Sequence, residues 1–203
     1  SNAMDFDDLL VYTVRLFQQY PDTLAAYHYR MPYLLVDEFQ DTNMVQYELV
    51  RLLAGPNRNV FVVGDPDQSI YSFRGADYRN VKRFQQDFDP LTIYLEENYR
   101  SHQYVLDAAM AVIRKNVDHI PRNLFSQRKT GPKLEIHEAY NEREESQFII
   151  ESIASLVKQG KANLRDFAVM YRLNAQSRVL EEAFIHAGLP YLLVGATRFY
   201  GRK

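Results

Sequence analysis

Short apolar runs alternate with longer stretches of helical periodicity along almost the whole chain, and this alternation constrains the fold most. "YLLV" (Tyr33 to Val36), "NVFVVGD" and "LTIYLEENY" are three strand-like runs in the first half. Helix-like stretches separate them. Val45, Leu49, Leu52 and Leu53 form one stripe after a candidate cap, Thr42, and before the stop Gly55-Pro56. "YRNVKRFQQDF" and the span from His102 to Asn116 read as two more helices, and Phe6, Leu9, Leu10, Phe17 and Tyr20 recur at helical spacing before "YPDT". The second half repeats the pattern. "KLEIHEAY", "FAVMYRL" and "YLLVG" are strand-like, and the stripes Ile149, Ile153, Leu156, Val157 and Leu180, Ala183, Phe184, Ala187 lie between them, ending at Gly160 and Gly188. Strands that alternate with helices predict an α/β fold, with a parallel sheet whose strands are buried on both faces.

Composition narrows the chemistry. Among 203 residues, 46% are hydrophobic and 25% charged, as in a folded domain. The absence of cysteine excludes disulfides, thiolate metal sites and a cysteine nucleophile. His28, His102, His119, His137 and His186 are too scattered to suggest a metal site. No apolar run approaches the ~20 residues that cross a bilayer. A net charge of −2 gives no global attraction to nucleic acid, so any such binding must use local patches. Ser1, Asn2 and Ala3 resemble an expression-tag scar. The chain enters a helix without a lead-in and stops after an apolar run, which reads as a piece of a longer protein.

Two strand-like runs end in acid: Asp37-Glu38 after "LLV", and Gly64-Asp65 after "FVV". Ligands of open parallel sheets bind beyond the carboxyl ends of the strands, so neighbouring acidic ends can share one site. One carboxylate would help hold Mg²⁺ and the next would polarise an attacking water. A bare acidic pair would read first as a cap for the helix beginning near Asn43; the surrounding string favours the site. Tyr71 and Phe73 have the period-two spacing of a half-buried strand, and taken alone they read as core. Arg74, Arg79, Lys82 and Arg83 form a local basic patch. Arg114, Lys115, Arg122, Arg128, Lys129 and Lys133 read first as a solvated linker and second as a track for a nucleic-acid backbone.

"LLVDEFQDTN", "VVGDPDQSIYSFRGAD" and "LEENYRS" together resemble motifs II, III and IV of superfamily 1 DNA helicases of the UvrD/Rep/PcrA type, in order and spacing. "DFDDLL" is similar to the segment that precedes motif II there, and "YLLVGATRFYGRK" to the stretch before the large insertion in the second motor domain. The resemblance implies ATP and Mg²⁺ as cofactors. It gives Asp37 the Mg²⁺-associated role, directly or through water, and Glu38 the role of base. Gln68 would approach the γ-phosphate. Tyr71, Phe73 and Arg74 would lie along single-stranded DNA, with Phe73 standing where many relatives carry tryptophan. Tyr99 would stack on the adenine, and Arg100 would reach the γ-phosphate across the cleft, where a fixed guanidinium charge suits a phosphoryl transition state.

The phosphate-cradling G-x-x-x-x-G-K-[ST] loop does not occur; Gly160-Lys161 lacks both the earlier glycine and the hydroxyl. The resemblance therefore implies RecA-like parallel-sheet P-loop NTPase motor domains, truncated. Residues 4–93 would be the later part of the first motor domain and 94–203 the opening of the second, after the scar at 1–3. Composition alone places a linker elsewhere, at "RNLFSQRKTGPK" (122–133). The parent would be an ATP-dependent helicase that moves 3′ to 5′ on single-stranded DNA and unwinds junctions in repair or replication, in the bacterial cytoplasm at the nucleoid. The chain alone is expected to be inactive, and a dimer of it would be an artefact of an uncovered sheet edge. The alternatives are the helicase subunit of an AddA/RecB-type helicase–nuclease and a non-catalytic nucleic-acid-binding module.

Overall fold

β1 (Leu34–Val36) and β2 (Val60–Val62) pair in parallel, with Leu34 opposite Val60, Leu35 opposite Phe61 and Val36 opposite Val62. Backbone bonds extend the pairing past both strands, from Val63 N to Val36 O (2.8 Å) and from Phe39 N to Val63 O (2.9 Å). In this computed structural model, which describes residues 3–117 and 119–194, β1 and β2 form a two-stranded sheet. Among the described residues only one of its faces is covered. Val36, Val60 and Val62 pack on the core of Phe39, Tyr47 and Phe84, joined by Val81 and Phe88. On the other face Leu35 is 75% exposed and Phe61 60% exposed, so the expected burial on both faces is not found.

The helices that cover the sheet start from local chemistry. α1 (Phe6–Gln19) is opened by a capping box, in which Asp8 N donates to Asp5 Oδ1 (2.8 Å) and Asp5 N donates to Asp8 Oδ2 (3.2 Å). Its buried residues are Val14 and Phe17, whereas Phe6, Leu9 and Tyr20 of the expected stripe are exposed. "YPDT" ends α1, as its residues imply, and at once starts a second helix. Pro21 occupies the first turn of α2 (Pro21–Arg30), where its missing N–H has no partner to lose. α3 (Met44–Ala54) is capped by Asn43 and Gln46, not by Thr42, whose hydroxyl donates to Phe39 O (2.7 Å). Tyr47 and Val50 are its buried residues; the expected stripe is only half-buried. Gly55 ends α3 at φ +56°, where a Cβ would also stand 2.8 Å from the His28 ring. α4 (Arg79–Phe88) brings Phe84 to the core, and α5 is Gln103–Ile113.

The chain divides into two compact units, Ser1–Leu134 and Glu135–Lys203. In the first, "LTIYLEENY" is not a strand: Leu91, Ile93 and Leu95 are exposed, and among the described residues its one ladder position is the bridge from Glu97 to Phe125. A strand exists through its neighbour's hydrogen bonds, and the described residues supply one pairing position here. In the second unit, α6 (Glu142–Lys158) packs on α7 (Ser177–His186). Glu181 of α7 is buried and accepts from Ser177 Oγ (3.4 Å) and Tyr191 OH (3.1 Å). Among the described residues "KLEIHEAY" and "FAVMYRL" form no ladder, and neither do Tyr191 to Val194; the end of "YLLVGATRFYGRK" lies outside the described residues. No helix among the described residues is long and apolar enough to cross a membrane.

Candidate functional site

Asp37 and Glu38 follow β1 directly, and both are exposed. Asp37 Oδ1 accepts from the Glu38 N–H (2.9 Å), and Glu38 adopts the left-handed conformation, φ +49° and ψ +43°. A non-glycine residue there costs about 1–2 kcal/mol, so the surroundings must hold it. The hold is visible one turn on. Gln40 is 1% exposed, and its Nε2 donates to Glu38 Oε2 (2.7 Å) while its Oε1 accepts from Asp65 N (2.9 Å). Gly64, at the end of β2, leaves the room this needs: a Cβ there would lie 2.6 Å from Gln40 Oε1. One buried amide thus joins the two acidic strand ends.

Asp65 organises the turn after β2. It accepts from Asp67 N (3.0 Å) through Oδ1 and from Gln68 Nε2 (2.7 Å) through Oδ2, so Gln68 is fixed to the strand end. Arg122 donates to both Asp65 and Asp67 (2.8 Å to the latter), and His119 Nδ1 lies 3.0 Å from Asp67 Oδ2. The Arg122 side chain is 16% exposed. Burial works against its charge, and the bonds to Asp65 and Asp67 outweigh that, so its pKa is raised. Arg122 is therefore an internal ion-pair partner of the second acidic end, contrary to both readings of the basic cluster.

Tyr71 and Phe73 project from the next turn of chain, with ring centroids 6.0 Å apart; Arg74 Cζ lies 5.3 Å from the first ring and 5.7 Å from the second. Tyr71 is 38% exposed and Phe73 68%, which removes the core reading of this pair. Gly75, at φ +87°, turns the chain back toward α4. Beside the turn lies a groove of about 720 Å³ between α1, the start of α3 and residues 72 to 79. Arg79 and Arg83 of the expected basic patch pair with Asp77, each at 2.7 Å. The hydrogen bonds from Arg79 first, then Arg83, hold the Asp77 carboxyl well below the usual carboxylate range against its burial. Arg74 is the patch member stacked on the aromatic pair.

Tyr99 and Arg100 are exposed. The Tyr99 hydroxyl donates to Glu97 Oε2 (2.9 Å), and the backbone of Arg100 is bound by Asn98 and Arg128. No described contact joins either residue to Asp37, Glu38 or Gln68. Gln40, His119 and Arg122 belong to the cluster that sequence reasoning missed. Gln40 stands within "DEFQDTN", but nothing in spacing marks a glutamine as buried.

Residues 1–89 match the family model of the UvrD/REP helicase N-terminal domain, and residues 93–203 that of the UvrD-like helicase C-terminal domain. Over its whole length the chain is 46% identical to the ATP-dependent DNA helicase PcrA of Staphylococcus aureus strain Mu50 and 45% identical to that of Staphylococcus epidermidis strain ATCC 35984. It spans 28% of the length of each. With both acidic strand ends inside those matches, the chain belongs to the UvrD/Rep family of DNA helicases.

Proposed function

We propose that this chain carries the water-activating part of an ATP hydrolysis site together with part of a single-stranded DNA track, within a helicase that unwinds duplex DNA. The observation that carries the reading is the junction of the two strand ends through Gln40, with the exposed Tyr71, Phe73 and Arg74 a few residues beyond. Residues 4–93 belong to the first RecA-like motor domain and 94–203 to the second; the change of family model between residues 89 and 93 supports this division. The compact unit that ends at Leu134 spans the boundary because His119 and Arg122 tie the later residues to Asp65 and Asp67.

The residues present fit Mg-ATP. Mg²⁺ is held by one or two carboxylates together with phosphate oxygens and water, and Asp37 is an exposed carboxylate at a strand end. Mg²⁺, when bound, supplies neutralisation of phosphate charge, and Asp37 would hold it directly or through water. Glu38 takes the proton of the attacking water. Gln68 approaches the γ-phosphate from its anchorage on Asp65, and Tyr99 and Arg100 bind adenine and γ-phosphate from the second motor domain. Tyr71 and Phe73 stack on bases without regard to sequence, and Arg74 adds charge for the backbone. Movement is 3′ to 5′, and junctions between single and double strands are the substrate, in repair or replication at the bacterial nucleoid.

The test is Glu38→Gln in the complete helicase. Nucleotide affinity stays within threefold, and DNA-stimulated turnover falls by about 10²–10⁴, the usual contribution of a general base. Unchanged turnover would place the base elsewhere.

A further inference from the structure

We propose that Gln40 is a positioning residue for Glu38: its buried amide locks one carboxylate oxygen of the base and ties it to the turn that leads to the aromatic pair. The inference rests on Glu38 being the base. Four observations converge on Gln40. Its side chain is almost fully buried, although it lies beside two exposed acids. Its Nε2 donates to Glu38 Oε2 at 2.7 Å. Its Oε1 accepts from Asp65 N at 2.9 Å, in a space that Gly64 keeps open. Its backbone oxygen accepts from Ser69 Oγ at 3.3 Å, two residues before Tyr71.

The chemistry selects an amide at this position. One neighbour is a carboxylate, which needs a donor, and the other is a backbone N–H, which needs an acceptor. A neutral group with one of each satisfies both, and only one orientation of the amide does so. A methionine of similar volume satisfies neither. A glutamate accepts from Asp65 N but meets Glu38 with like charge. An exposed glutamate otherwise samples several rotamers. With Oε2 held by Gln40, the carboxylate presents Oε1 to the reacting water from one fixed position, and Glu38 stays in its left-handed conformation. Positioning of this kind acts on turnover, because it sets the geometry in which the proton is taken, and leaves nucleotide contacts alone.

The experiment measures DNA-stimulated ATPase activity and the affinity for a fluorescent ATP analogue in the complete helicase, with Gln40→Met, Glu38→Gln and the double variant. Gln40→Met lowers kcat by about 10–100-fold, with KM and analogue affinity within threefold. In the Glu38→Gln background the same change costs less than threefold, because the base it serves is already gone. A purely structural glutamine would lose the same factor in both backgrounds, and that result overturns the proposal. So does Gln40→Met with kcat within threefold of the unaltered enzyme while Glu38→Gln is inactive. If Glu38→Gln itself retains full turnover, the base assignment fails instead, which separates the two. Should Gln40→Met not fold, Gln40→Glu decides. Glu38 and Asp65 are its hydrogen-bond partners, Asp37 lies next to Glu38, and Arg122 and Gln68 bind Asp65. A buried glutamic acid beside Glu38 keeps its proton well above the usual range and donates it as the amide does. Its turnover relative to the unaltered enzyme rises as pH is lowered from about 8 to about 6; a constant ratio overturns the proposal.

Discussion

Gly64→Ala tests whether the space beside Gln40 is needed for the amide bridge. The glycine has no positive φ, so an alanine is not strained by its own backbone; the whole effect is contact. The new Cβ would meet Gln40 Oε1 at 2.6 Å, and the backbone nitrogens of Phe39 and Gln40 at 3.2 and 3.3 Å. The backbone contacts need only a few tenths of an ångström of relief. The oxygen must retreat by about 0.8 Å to reach ordinary contact, and such a shift along the 2.9 Å bond from Asp65 N carries it past hydrogen-bonding distance. A buried N–H left unsatisfied costs about 1–3 kcal/mol, and overpacking about as much, so a loss of about 2–4 kcal/mol is expected. For a unit of this size that lowers Tm by on the order of 10 °C. Calorimetry of the chain would show the transition of the Ser1–Leu134 unit move while that of Glu135–Lys203 stays. Made together with Gln40→Ala, which vacates the oxygen, Gly64→Ala should cost about 1–2 kcal/mol less. A Tm shift of under about 2 °C, or an equal cost in both backgrounds, would refute the contact argument.

Two other substitutions probe the core and the aromatic turn. Tyr47 is buried and its hydroxyl donates to Asp87 Oδ2 at 2.6 Å, so Tyr47→Phe should cost about 1–2 kcal/mol by urea unfolding at pH 8. Burial, and then Asp87, push the phenol's pKa up in the folded chain, so its contribution is full below the ordinary value near 10 and declines as pH rises above it. Stability of the unaltered chain should therefore fall toward that of Tyr47→Phe in alkali, and a gap that stays constant from about pH 8 to 11 would contradict it. Phe73→Ala should weaken binding of single-stranded oligonucleotides to the complete helicase by about 1–3 kcal/mol, equally for mixed and homopolymer sequences. A loss confined to one sequence would count against stacking.

The acids of the site were legible because their meaning is local: an apolar run followed by Asp37-Glu38 or Gly64-Asp65 is a strand end by itself. The partners were not, because they come from far along the chain. Asp65 binds the Gln40 side chain across 25 residues and Arg122 across 57, and neither glutamine nor arginine carries a periodic signature of burial. Helix α3 was legible in its extent and in its stop at Gly55-Pro56 but not in its cap, which is Asn43 and not Thr42, and "YPDT" marked the end of α1 but not the start of α2 at Pro21. Strands were over-read. "LTIYLEENY" and "KLEIHEAY" have the right residues, but a ladder is a property of two segments, and the described residues provide a full partner only to β1 and β2. The stripe of α1 shows the same limit, since Phe6 and Leu9 have the spacing of core residues and remain exposed while Val14 and Phe17 are buried.

The two loops that carry the site are fastened at both ends, and this bears on how nucleic acid could influence hydrolysis. At the strand end, Gln40 joins Glu38 to Asp65, and Phe39 N donates to Val63 O. At the far end, Thr42 O accepts from Asp77 N (3.0 Å) and from Asn80 Nδ2 (3.0 Å), and Asn80 is fully buried. Residues 37 to 43 and 64 to 80 are thus joined before and after the turn of Tyr71 and Phe73. On the proposed function, a base stacked on Phe73 would pull on a segment with neither end free, and the displacement would be carried into the anchors. The anchor nearer the chemistry is the Gln40 bridge, whose hydrogen bonds at 2.7 and 2.9 Å leave little slack before they break. A tilt of the turn would then reach the carboxylate of Glu38 by way of the Gln40 side chain. A longer or water-filled connection would dissipate it. If the proposed DNA role of Tyr71, Phe73 and Arg74 holds, stimulation of turnover by DNA falls with the Gln40 bridge while DNA affinity does not.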